Sequence, residues 1–151
     1  MPNWCSNRVS FFVDDQKDVA KLKSIFASDT PFNEIIPAPD WEKIPNDKGE
    51  LPVEQLHRND KGEVMCASWN FPDGTNDDRW YHWNISNWGV KWDISAQKVD
   101  DYDGFIRLEF DTPWGPPDEI YNRLVEMFPD VSISWFFDEP GLQVAGDLPY
   151  V

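Results

Sequence analysis

The sequence predicts one α+β domain in which helices cover one face of an antiparallel sheet. Three observations lead there. Apolar residues alternate with period two in five short stretches, they recur at helical spacing with capping residues in front of them, and a tight Asp-Gly turn joins two of the alternating stretches. With 151 residues the chain can bury roughly two thirds of its unfolded surface, so one core suffices without disulfides or metals.

The first strand is Arg8–Val13, with Val9, Phe11 and Val13 on one face. Asp14 and Asp15 then offer an N-cap, and Val19, Leu22, Ile25 and Phe26 carry a helix to about Ala27. From Asp29 to Gly74 prolines and polar residues interrupt every period, which reads as a loop-rich insertion reaching about residue 89. Thr75 and Asp78 stand in capping-box relation, so a helix opens near Asn76, and Gly89 closes it. That helix carries Trp80, Trp83 and Trp88 and is apolar on two sides. Trp88 and Trp92 are expected in the core, because an indole removes about 150–250 Å² from water. A second strand follows over Val90–Ala96, and the Asp103-Gly104 hairpin turn leads into a third over Phe105–Phe110. Pro116-Pro117 with Asp118 and Glu119 open a helix whose Ile120, Leu124 and Phe128 face inward. Val131–Phe137 is the fourth strand and Leu142–Ala145 the fifth.

Without the insertion and the last strand, the order is βαββαβ, the split-βαβ arrangement of ferredoxin-like sandwiches. Right-handed crossovers give the sheet order 4-1-3-2, with the fifth strand outside the fourth. The chain is thus read as one ferredoxin-like domain over 1–151 with an insertion at about 29–89.

The wording of several segments resembles the YubB-type ferredoxin-like domain family: MPNWCSNRVSF, FNEIIPAPD, WNISNWGVKWD, FDTPWGPPDEIYNRL and FPDVSISWFFDEPG. The resemblance runs from Met1 to about Gly141. It implies a small protein of a phage or plasmid and supports the fold, but carries over no catalytic residue. The charged segment around Asn46–Lys61 is longer than the family pattern. No iron–sulfur cluster is implied, since Cys5 and Cys66 cannot furnish four thiolates.

Charge narrows the function classes. Twenty-eight acids against thirteen bases give −15, and residues 93–151 alone hold thirteen acids against three bases. Nucleic acid is disfavoured as a partner, because phosphate binding needs a basic stripe. The echo of an RNA-recognition strand in Gly104–Phe110 is spoiled by Asp103, Arg107 and Glu109. The acidic turn at 99–104 fails as a calcium loop, since Val99 and Phe110 fall where ligands are required. Asp78 and His82 share a helix face but have no third ligand. His57 stands alone, no serine or cysteine sits in a nucleophile elbow, and no metal or cofactor is expected. Both cysteines read as free buried thiols.

The expectation is a non-enzymatic acidic interaction module, cytoplasmic in a bacterial host, that meets a host protein with a basic surface. Such a module suits inhibition of a defence or nucleic-acid-handling protein, through electrostatic steering. Its contact residues are expected to be Asp100, Asp101, Asp103, Trp114, Asp138 and Glu139. The alternative is a small-ligand binder or enzyme with a pocket at Trp80 and Trp83, since indole faces take sugars and methylated amines. No membrane segment is seen, and pairing through the second or fifth strand would make a dimer.

Overall fold

Cys5, Asn7, Val9 and Phe11 are buried while the residues between them face solvent, so β1 (Trp4–Phe12) has one core face and one open face. The computed structural model describes residues 3–94 and 98–149. The chain divides into two compact units, Met1–Pro37 with Trp83–Val151, and Ala38–His82. Of the segment read as an insertion, only Ala38–His82 forms the second unit.

In the first unit, α1 (Gln16–Ala27) starts at Asp15, whose carboxylate accepts the Lys17 N–H at 2.9 Å, and buries Leu22, Ile25 and Phe26. The short α2 (Pro31–Ile35) follows. After α3 (Arg79–Asn87), which spans the boundary between the units, come β4 (Lys98–Tyr102), β5 (Phe105–Pro113), α4 (Asp118–Met127), β6 (Ser132–Glu139) and β7 (Val144–Leu148). The sheet is antiparallel in order β4-β5-β1-β6-β7. This is the ferredoxin-like order with the added strand outside β6, as the sequence predicts. Gly104 makes the β4–β5 turn with φ 73°.

Helices α1, α2 and α4 pack on one face. Phe11 meets Phe26 of α1, Phe110 meets Phe32 of α2, and Tyr121 of α4 meets Trp135. Trp135 is 1% exposed and is the largest of the fully buried side chains. A polar tie runs through this core: the Asn7 amide donates to Thr112 Oγ1 at 2.9 Å, and its Oδ1 accepts from Trp135 Nε1 at 3.0 Å. Three neighbouring strands are thereby locked in register.

Two expectations fail here. The second strand is Lys98–Tyr102, not Val90–Ala96. Val90 and Ile94 are indeed buried, but Lys91 O accepts the Asn84 side chain. Asp93 accepts the backbone N–H groups of Phe32, Asn33 and Ile94. The segment thus caps α2, and its polar groups are used before a strand can pair; residues 95–97 lie outside the described set. Burial pushes the Asp93 carboxyl above the usual carboxylate range, against the pull of those donors. Trp92 is the second departure: it is 39% exposed, set against Trp4 with Lys91 over its ring, whereas Trp88 is buried.

The second unit holds a hairpin of β2 (Val53–Arg58) and β3 (Val64–Asn70), where a loop-rich insertion was expected. Its turn and an earlier one are built from the same five residues, Asn-Asp-Lys-Gly-Glu, at 46–50 and 59–63. In each, the asparagine Oδ1 accepts the Lys and Glu N–H groups, and the glycine takes a positive φ of 75° or 79°. Cys66 on β3 is exposed, which corrects the reading of both thiols as buried; Cys5 is fully buried.

Candidate functional site

In each unit aromatic rings that are exposed or half-buried come together with carboxylates at the surface. In the first unit the place is the helix-free face of the sheet. Strand pairing fixes what stands there, because every second residue points outward. Ser6 of β1 lies between Asp111 of β5 and Asp138 of β6, and Arg8 lies between Glu109 and Phe136, with Asp147 beyond Phe136. Adjacent cross-strand side chains are about 5 Å apart. Glu109 therefore stands directly opposite Arg8, with Asp111 and Asp138 on the diagonals and Asp147 one strand further out, and Glu109 also holds Arg107 at 3.2 Å. Further along the same face Phe12, Phe105 and Tyr102 form a row, with ring centroids 5.1 and 5.7 Å apart. Phe12 is 50% and Tyr102 58% exposed.

The residues expected to meet a partner are scattered relative to this face. Asp138 stands on it, and Asp100 stands on it opposite Arg107. Asp101 is held by Lys23 at 2.7 Å, and Asp103 is an exposed turn residue. Trp114 is 52% exposed in a left-handed conformation with φ 69°, its N–H donating to Asn3 O at 2.7 Å. Glu139 is a correction: it shares the inward phase of β6 with Trp135 and Phe137 and is buried. One of its oxygens accepts the Leu142 N–H and the other is buried without a partner. Sequence reading stopped the strand at Phe137, so the inward phase of Glu139 went unseen. It also missed Asp111 and Asp147, although extending the alternation of β5 by one residue places Asp111 outward.

In the second unit a cleft of about 620 Å³ is lined by Trp41, Trp69 and Trp80 together with Asp40, Glu42 and Asp78. Its frame is an ion pair: Arg79 Nε and Nη2 donate to the two oxygens of Asp77 at 2.8 and 2.9 Å. The remaining guanidinium donors reach Trp41 O and Pro45 O, and the plane lies over the rings of Trp41 and Phe71 at 4.9 and 5.2 Å. The Arg79 hydrogen bond holds the Asp77 carboxyl below the usual range. Trp41 Nε1 is buried without an acceptor. Of the two tryptophans expected to bind a ligand, Trp80 lines the cleft. Trp83 lies in the first unit, edge-on to Trp88 at 5.6 Å. Trp69 was missed because β3 has no buried face to give it a period, and Trp41 because it sits in a single short turn between Pro39 and Pro45.

Among the described residues no group of three or more His, Cys, Asp or Glu is placed to hold a metal ion, and no helix is long and apolar enough to cross a membrane.

Comparison with known proteins agrees with this fold. Residues 91–150 match the family described as the ferredoxin-like domain in Api92-like protein. The chain is similar to the crystal structure of a protein api92 from Yersinia pseudotuberculosis, with a TM-score of 0.62 and 13% identity over 97% of this chain and 93% of that one. No curated protein matches. At that identity the likeness concerns the fold alone.

Proposed function

We propose that this chain is a non-enzymatic, acidic interaction module of YubB type from a phage or plasmid. It works in the cytoplasm of a bacterial host by binding a host protein with a basic surface. The observation that carries the reading is the helix-free sheet face, where Glu109, Asp111, Asp138 and Asp147 share one side of the sheet with Arg8 and Arg107 beside exposed aromatic rings. An antiparallel sheet can leave one face to water, but a row of large exposed apolar groups rimmed by charge marks an interaction site. Carboxylates here repel phosphate and draw lysine and arginine, while Phe12, Tyr102 and Phe136 supply apolar area and cation–π faces once water is excluded. Inhibition of a nucleic-acid-handling or defence protein follows if the carboxylates occupy the basic groove of such a protein.

The test is capture from host lysate at low and high salt, using the wild type and the triple variant Asp111→Asn, Asp138→Asn, Asp147→Asn. A second triple, Asp14→Asn, Asp60→Asn, Asp130→Asn, changes the net charge equally at exposed positions elsewhere. A salt-sensitive partner held by wild type and control but lost by the face variant supports the reading. An empty or salt-insensitive catch, equal loss in both triples, or binding of RNA defeats it.

A further inference from the structure

The cleft of the Ala38–His82 unit is independent of the sheet face and has a chemistry of its own. Its volume, about 620 Å³, lies within the range of small-ligand sites, roughly 300–1,000 Å³. Three indoles furnish the walls, and the ionisable groups on the lining are all acids. One of these acids, Asp77, is neutralised by Arg79, whose side chain spends its donors on Asp77, Trp41 O and Pro45 O. Arg79 also occupies the Trp41 ring, so that indole is held in place before any ligand arrives. Asp40 and Asp78 have weakly engaged partners, Lys43 at 3.5 Å and His82 at 3.9 Å, both on exposed side chains. A negative, indole-walled cleft rejects phosphates and carboxylates. A bare ammonium gains less here, since it is strongly hydrated and makes use of the lining carboxylates but not of the indole faces, which offer it no hydrogen-bond acceptor. A methylated ammonium is weakly hydrated, presents methyl groups to the rings and keeps its positive charge for the carboxylates.

We infer that the Trp41–Trp69–Trp80 cleft binds a trimethylammonium group, carried either by a trimethylated lysine side chain or by a free choline-type molecule. The lining indoles take the cation, Trp41 by the part of its ring that Arg79 leaves open, Glu42 and Asp78 supply the longer-range attraction, and the Asp77–Arg79 pair holds the frame.

The experiment follows the indole N–H signals of the full chain by NMR during titration with tetramethylammonium, choline, a peptide bearing trimethyl-lysine, and 3,3-dimethylbutanol, the uncharged isostere of choline. The signals of Trp41, Trp69 and Trp80 shift and saturate with the cations, and the isostere binds at least about tenfold more weakly. Tighter binding of the peptide than of choline identifies a methylated lysine as the source, and the reverse order identifies a free molecule. Trp80→Ala abolishes the response and Trp80→Phe retains part of it. Glu42→Gln with Asp78→Asn, both on exposed side chains, weakens cation binding several-fold and removes its salt dependence, a readout that survives if Trp80→Ala misfolds. Equal binding of the isostere, a response confined to other tryptophans, or no saturation by any of the three cations overturns the inference.

Discussion

Among individual residues, Asp77 and Arg79 carry the greatest weight in the second unit. Asp77 is buried, both its oxygens are taken by one guanidinium, and its pKa is depressed by that contact. A carboxyl depressed in the folded state adds stability above its unfolded pKa of about 3.9 and loses it as pH falls through the lower folded value. We expect the Ala38–His82 amides to lose hydrogen-exchange protection as the pH drops below about 4. Asp77→Ala should remove about 3 kcal/mol from that unit at neutral pH, because it strands the Arg79 charge; a change within experimental error would contradict this. The thiols give a second residue-level outcome. Burial pushes the Cys5 thiol up to about 11, while Cys66 lies open on β3. A maleimide should label one cysteine in the native protein and two in denaturant. Glu139 shows why single residues were hard to read: in sequence it opens the turn Glu139-Pro140-Gly141, and only the length of β6 reveals that it faces inward.

The elements were legible where one face is buried and obscure where none is. β1, β5 and α4 bury every second residue or one helical stripe, so their periods appear directly in the sequence. β2 has all six residues exposed, so no alternation marks it, and the Asn-Asp-Lys-Gly turn that follows at 59–62 does not by itself announce a strand. β4 reads Lys-Val-Asp-Asp-Tyr, an edge strand with almost no apolar content, while the better alternation at Val90–Ile94 belongs to a segment that caps α2. The register of the central strands rests on Asn7. Asn7→Ala leaves Trp135 Nε1 without its acceptor and opens a gap, and it should destabilise the first unit by about 3 kcal/mol. Chemical denaturation measures this, and a loss below about 1 kcal/mol would show that the tie contributes little.

On the scale of the whole molecule, the chain carries −15, and two thirds of that excess falls within residues 93–151, the part that supplies four of the five sheet strands. Composition thus located the acidic part of the chain, but only strand pairing shows which carboxylates share a face: Asp111 on β5 and Asp138 on β6 meet across Ser6 of β1, and Asp147 joins them from β7, which pairs with β6. The central claim is that these side chains form the contact with a basic partner. Carbodiimide footprinting of the free chain and of the captured complex, read by mass spectrometry, tests it most directly. The account predicts that Asp111, Asp138 and Asp147 label readily in the free chain and are protected in the complex, while the exposed Asp60 and Asp130 label equally in both. Unchanged labelling of the three, or protection confined to the acids of Ala38–His82, would contradict it.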